Sequence, residues 1–370
     1  MLTEIGFMRS TKTLLQTNIK KILLIGAFSQ SPDHYTYATS FVAPLTKLGF
    51  IVYPFNYRRS FVPCISSQKA LQSRLLASLN KKLCNKALLA TALHYKPDLI
   101  FIIKGEEIKS STLAAIKQKI NCHIVNFYPD NPFTLWNGNS NAQVLKSLPL
   151  YSCFLSWSPI LTPALACSGC KHTCSFPFAY DANFIYAQAK PANQYLYDIC
   201  FVGTWEPDRE KWLTHVHHAL PEARLAIFGN RWNFLPKDSI LIKAVKGEAM
   251  YGQKMLEIFS SSKIILNFIR QQNYGAHNMR TFEVPASNNF LLTERTPQQA
   301  QVFFKEDESI ACFSTPQELV EKINFYINHE AKRDAITKKG YEIAQQYNLE
   351  NQLAHYFSSC PALQKKEIYE

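Results

Sequence analysis

A chain of 370 residues is too long for one ordinary hydrophobic core and suits two domains of about 150–200 residues each. Its hydrophobic fraction of 47% and charged fraction of 18% exclude a disordered or fibrous protein. The net charge of +12 is lopsided: residues 1–190 carry 20 Lys and Arg against 7 Asp and Glu, whereas residues 191–370 carry 20 against 21. A basic first half suits an anionic partner or a membrane surface. Nucleic acid is disfavoured, because Tyr35, Tyr37, Phe50, Tyr53, Phe55 and Tyr57 alternate as in strands and core, not as exposed stacking platforms. Ten scattered cysteines in a chain this large read as reduced, buried small hydrophobes of a cytoplasmic protein. Residues 1–21 lack the apolar stretch of a secretory signal, although "RSTKTLLQTNIKK" is suited to lie on a membrane surface.

In chain order, "KKILLIGAF" (20–28) predicts a buried strand running into a turn. "YATSFVAPLTKLG" predicts a helix, "FIVYPF" a strand, and residues 68–94 a long helix. "PDLIFIIKG" is a strand bounded by turn residues, "STLAAIKQKI" a helix, and "CHIVNFYPD" and "YSCFLSWS" two further strands. The rhythm restarts with strand "YDICFVGTW", helix "REKWLTHVHHAL", strand "RLAIFG", helix "GEAMYGQKMLEIFSSS" and strand "KIILNF". "MRTFEVPAS" is a short helix, and "NFLLTE" and "SIACFS" are the last strands. Thr315, Pro316 and Glu318 form a helix-start signature that Thr296, Pro297 and Gln299 repeat one unit earlier. Strands apolar on both faces, alternating with helices, indicate parallel sheets covered on both sides. The fold class is therefore α/β, with two tandem Rossmann-like doubly wound domains facing a cleft. Residues 1–190 form the basic N-terminal domain, 191–347 the C-terminal domain, and 348–370 a helical tail that packs back on the first domain.

No glycine-rich dinucleotide fingerprint, P-loop, nucleophile elbow or zinc-protease motif is present. The informative stretch is "NMRTFEVPASNNFLLTERTPQQ" (278–299), which sets Arg280 and Glu283 on a short helix between two strands. A helix N-terminus with a guanidinium suits a diphosphate, and a carboxylate beside it suits the hydroxyls of a ribose. The same spacing also suits an ordinary ion pair one helical turn apart.

Residues 172–358 resemble the CgeB-like (spore-maturation-type) glycosyltransferases, which have a GT-B fold and a group 1-like C-terminal domain. The matching pieces are "CSFPFAYDANFI", "YDICFVGTWEPDREKWL", "LAIFGNRW" and, most specifically, R-T-F-E-x-P-A followed by F-L-L-T. The resemblance implies a hexosyltransferase that moves sugar from a nucleotide-diphosphate sugar, with the donor on the C-terminal domain and the acceptor on the N-terminal one. It implies that Glu283 binds the ribose, that Arg209 and Lys211 approach the diphosphate after the turn at Gly203 and Thr204, and that Arg280 and Asn278 border the donor. Relatives carry a second acid eight positions before Glu283. Gly275 stands there instead, so His277, Asn278 or Arg280 would have to replace that contact. A catalytically inactive GT-B protein that keeps a nucleotide-sugar cleft is the alternative. The acceptor class stays open among an anionic glycan, a lipid-linked molecule and a protein, and so does the stereochemical outcome.

On the acceptor side, Asp33 with His34 and, separately, Asp130 are placed where a general base would act, although both also fit turn sequences. No Asp-x-Asp tripeptide occurs, so metal-independent chemistry is expected, with no cofactor beyond the donor. "CSGCKHTC" (167–174) has the density of a metal site. Its ligands crowd onto one turn without a second pair, however, and Gly169 reads as a helix C-cap, so no metal is assigned there.

Overall fold

The computed structural model describes residues 18–29, 36–61, 70–134, 142–183, 195–273 and 275–364. In the first half, β1 (Lys21–Gly26), β2 (Ile51–Asn56), β3 (Leu99–Ile103), β4 (His123–Phe127), β5 (Cys153–Ser156) and β6 (Thr173–Ser175) form one sheet in the order β2-β1-β3-β4-β5-β6. In the second half, β7 (Tyr197–Val202), β8 (Leu225–Phe228), β9 (Val245–Gly247), β10 (Ser262–Asn267), β11 (Leu291–Glu294) and β12 (Ala311–Phe313) form another, ordered β12-β11-β10-β7-β8-β9. All ladders are parallel. Parallel strands need crossovers that cover both faces, which is why Ile22–Ile25 and Leu99–Ile102 are buried without alternation.

The crossovers of the first sheet include α1 (Val42–Lys47), α2 (Ala70–Tyr95), α3 (Ser110–Lys119), α4 (Ala142–Ser147) and α5 (Thr162–Cys167). Those of the second include α6 (Pro207–Ala219), α7 (Gly252–Ser260) and α8 (Arg280–Ala286), followed by α9 (Pro316–Asn328), α10 (Glu330–Ala344) and α11 (Leu349–Ser359). The winding direction reverses between β1 and β3 in one sheet and between β7 and β10 in the other. At such a reversal neighbouring crossovers leave to opposite faces, opening a crevice beyond the carboxyl ends of the strands.

Two strands were not foreseen. β6 and β9 are three residues each, with polar neighbours, too short for any hydrophobic period to register. The start of α9 differs in detail from its sequence signature. Thr315 Oγ1 accepts the Glu318 N–H at 3.1 Å, but the Glu318 carboxylate turns back to the Ser314 N–H (2.7 Å), one residue earlier than a reciprocal box requires. Thr296 likewise accepts the Gln299 N–H at 3.2 Å, yet residues 298–303 wind as a π-helix.

"CSGCKHTC" closes α5. Gly169 takes φ +91°, its N–H donates to Ala166 (3.0 Å), and the Cys170 N–H donates to Leu165 (3.0 Å), a Schellman stop that needs glycine at the left-handed position. The segment stays within the first domain. It leads into β6, an edge strand of the first sheet, because Phe176 and Phe178 belong to the first core. Tyr180 is the first residue of this run to pack in the second core. The chain returns beside that crossing: the Tyr180 N–H donates to Tyr347 (3.2 Å) and the Leu349 N–H donates to Tyr180 (2.9 Å). Leu353, Tyr356 and Phe357 of α11 then bury in the first core, with the Phe357 ring 4.5 Å from that of Phe50. No helix among the described residues is long and apolar enough to cross a membrane.

Candidate active site in the interdomain cleft

Both reversals open onto one cleft of about 520 Å³, lined from the first domain by Ala27 after β1 and by Ile103 and Lys104 at the end of β3. From the second domain it is lined by Val202 and Thr204 around the end of β7, and by Asn267 and Arg270 around the end of β10. Among the described lining residues the charge is one-sided: Lys104, Arg209, Arg270 and Arg280 stand against one carboxylate, Asp130.

The C-terminal wall is built on two glycines. A Cβ on Gly229 would stand 1.9 Å from the Gly203 carbonyl oxygen, and one on Gly203 would stand 2.6 Å from the Phe201 ring. Their bareness lets the turns after β7 and β8 touch, and Trp232 Nε1 donates to the Gly203 oxygen at 2.9 Å. Arg209, in the first turn of α6, folds beneath the β7 turn. Its Nη1 donates to the Thr204 carbonyl (2.8 Å) and its guanidinium lies 5.5 Å over the Phe201 ring. It is 9% exposed, and burial brings its pKa down to about 10, which leaves it charged at neutral pH. Glu206 pairs with both Arg209 (3.5 Å) and Arg270 (2.7 Å), holding two guanidinium groups at one strand end.

Arg280 lines the cleft, and Glu283 lies beneath it, 6% exposed and paired with its Nη1. The pair is therefore a half-buried wall of the cleft rather than a surface contact. Arg280 Nε is buried without a hydrogen-bond partner among the described residues. Asn278 lines the cleft in a reciprocal amide pair with Asn267 (3.1 and 2.9 Å). Lys211 does not reach the cleft. Two residues after Arg209 a helix has turned to another face, and Lys211 is exposed there, pairs with Asp208 and borders a neighbouring groove.

On the N-terminal wall, Lys104 sits in the left-handed region (φ +67°) just beyond β3, an uncommon conformation for a side chain of its size. Its Nζ pairs with Asp130 (3.0 Å) and Glu106 (3.2 Å). Asp130 also accepts Gln272 Nε2 at 2.9 Å, so it bridges the two domains at the mouth of the cleft. Asp33 and His34 lie outside the described residues. Lys104, Arg270 and Gln272 were missed in the sequence, where each is one more polar residue after a strand. Only the position of strand ends at the two reversals singles them out.

His277, one of the residues the resemblance offers in place of an acid at Gly275, is closed off from the cleft. Its ring is fully buried against Phe178, Phe282 and Phe303, and both nitrogens are used by protein groups. Nε2 accepts the Phe178 N–H at 2.9 Å, so Nδ1 carries the proton and donates to Gln298 Oε1 at 2.7 Å. The ring ties the segment after β6 in the first domain to a loop of the second. At position 275 itself the backbone is left-handed (φ +79°), and a Cβ there would stand 2.9 Å from Ile160. Burial lowers the His277 pKa from 6.5 to about 4. Between those values the unfolded chain binds a proton that the folded one refuses, so stability is full above pH 6.5. It falls by about 3 kcal/mol as the pH drops to about 4. Chemical denaturation of His277→Gln across that window is expected to show this slope flattened; an unchanged slope would assign it elsewhere.

Two doubly wound domains whose reversals share one cleft define the GT-B architecture. Residues 209–358 match the family model described as glycosyl transferase-like. Among solved structures, sucrose-phosphate synthase from Thermosynechococcus elongatus aligns with a TM-score of 0.65 at 14% identity, over 90% of this chain and 96% of that one. HepE from Anabaena in complex with UDP-glucose aligns with a TM-score of 0.60 at 14% identity, over 90% and 98%. The DNA-modifying β-glucosyltransferase aligns with a TM-score of 0.60 at 12% identity, over 92% and 98%. No curated protein sequence matches the chain.

Proposed function

We propose that the protein is a glycosyltransferase that takes its sugar from a nucleoside diphosphate donor of the UDP-sugar class. The observation that carries this reading is the convergence of Arg209, Arg270 and Arg280 at the β7–β10 reversal, in a cleft whose described lining residues include one carboxylate. Breaking the bond between a sugar and a nucleoside diphosphate leaves negative charge on the diphosphate. Guanidinium groups held in a partly desolvated wall stabilise that charge without reorganising. Arg280 Nε offers a donor with no protein partner among the described residues, and Glu283 behind it orients the guanidinium or, in a rearranged pair, meets the ribose. The HepE structure with UDP-glucose supports the donor class. Transfer is proposed to be metal-independent, because the cations of the wall occupy the role an Asp-x-Asp-bound metal would play, and Asp130 is engaged by Lys104 and Gln272.

The acceptor would enter along the first-domain wall, where Asp130 is the general base in reach, with Asp33 and His34 as the other candidates. Lys104 and the basic charge of residues 1–190 favour an anionic acceptor, glycan, lipid-linked or protein. The rival reading is a binding protein that keeps the cleft without turnover, favoured by the lack of a carboxylate at Gly275. A thermal-shift series with UDP, GDP, ADP and UDP-glucose tests the reading. At 100 times Kd, binding adds about 2.7 kcal/mol, a rise of about 3–4 °C for a chain of this length unfolding as one unit. Arg280→Ala is expected to abolish the shift. No shift with any nucleotide would overturn the donor site, and a shift without release of UDP from UDP-glucose would favour the rival.

A further inference from the structure

Three thiols from distant parts of the chain meet inside the first domain, away from the cleft. Cys153 opens β5, Cys174 lies in β6, and Cys360 follows the last turn of α11. Cys174 Sγ is 3.1 Å from Cys153 Sγ and 3.5 Å from Cys360 Sγ, and all three sulfurs lie within 4.8 Å of one another. The fold forces this meeting. Leu155 pairs with Cys174 across the ladder, so Cys153, two residues earlier, shares its face of the sheet. Tyr356 and Phe357 anchor α11 in the same core, and the Cys360 N–H donates to the Tyr356 carbonyl (2.9 Å), which seats the third sulfur over the strands.

A second observation points to a ligand. The hydroxyl of Tyr356 is buried beside the same three sulfurs, with no oxygen or nitrogen partner among the described residues. Thiol sulfurs are weak acceptors, so a buried hydroxyl left to them is under-satisfied until something else at the site receives it. The neighbouring Cys170 is not part of the set, because its sulfur is engaged by the His172 carbonyl and Thr173 Oγ1.

We propose that Cys153, Cys174 and Cys360 form a binding site for a soft d10 cation, Zn2+ or Cu+, with the Tyr356 hydroxyl in the outer shell or at a fourth position. Thiolate sets without carboxylates select such ions. A cation about 2.3 Å from each sulfur needs the sulfurs about 3.8 Å apart, within the span these sulfurs already occupy. Binding displaces the thiol protons, so affinity falls as the pH falls. The bound ion would join two strands of the first sheet to the C-terminal helix, 186 residues further along the chain. Cys174 belongs to the conspicuous cysteine cluster of the sequence, but its partners are not the cysteines beside it.

The full chain, reduced with a phosphine and stripped with a chelator, is titrated with Zn2+ against a chromophoric zinc chelator and with Cu+ against a colour-forming copper chelator. One equivalent of one of the two ions is expected to bind. Affinity should fall by at least about tenfold in both Cys174→Ala and Cys360→Ala, and stay unchanged in Cys167→Ala, whose thiol is exposed outside the set. The competition that succeeds distinguishes the ions. Failure of both ions to bind the wild-type chain stoichiometrically overturns the proposal, whether or not the variants fold. So does equal affinity in folded Cys360→Ala. Peroxide treatment that joins Cys174 to Cys153 or Cys360 in a chain that binds neither ion would make the cluster a redox pair instead.

Discussion

Arg209→Ala is expected to lower donor turnover at saturating UDP-sugar by about 10²–10³-fold, the usual loss when one preorganised donor to a developing anion is removed. Arg209 is the most desolvated of the cleft cations, stacked over Phe201 and fixed by the Thr204 carbonyl, so it needs no rearrangement when the diphosphate departs. Its charge persists at neutral pH, since burial lowers its pKa only to about 10. The change also leaves the Thr204 carbonyl without its donor, which costs about 1 kcal/mol of stability. Turnover and denaturation must therefore be measured on the same samples. Arg209→Lys separates the two roles, because it keeps the charge and loses the planar, two-point donor. Wild-type turnover in folded Arg209→Ala would remove this residue from the proposed chemistry.

Gly229→Ala is expected to destabilise the chain by about 4 kcal/mol or more, beyond the ordinary range for a single added methyl group. The new Cβ would lie 1.9 Å from the Gly203 oxygen and 2.5 Å from its carbonyl carbon, and φ +153° already disfavours a side chain there. The obstructing atoms are backbone, so no rotamer change relieves them. Relief requires the turns after β7 and β8 to part, which breaks the Trp232 bond to Gly203 and shifts Thr204 in the cleft wall. Denaturant midpoints measure the loss, and nucleotide thermal shifts on any folded fraction measure the damage to the cleft. A midpoint equal to the wild type would mean the two turns do not touch.

The long apolar runs carried most of the fold into the sequence. Strands β1, β3, β4, β7 and β10 are legible because a strand buried on both faces must be apolar throughout, a constraint independent of its neighbours. The turn glycine at Gly169 and the cap at Thr315 are equally local, each set by one backbone conformation. The site was legible only in part. Arg209, Arg280 and Asn278 line the cleft, but the same reading placed Lys211 beside Arg209, since a linear string does not show which face of a helix a residue takes. His277 looked available for a ligand and is instead enclosed, because three phenylalanines from separate segments close around it.

Sequence by itself determined that this is a two-domain α/β protein with parallel sheets and an uneven charge, because periodicity and composition are sums over near neighbours. The tertiary structure alone decided which charges meet. Strand order places the ends of β1, β3, β7 and β10 on one cleft, and so draws Lys104, Arg270 and Gln272 into a site that no local motif marks. It likewise took Cys174 out of its crowded octet and set it against Cys153 and Cys360. Such pairings depend on strand register and helix docking across long sequence separations, and those are fixed only when the whole core closes.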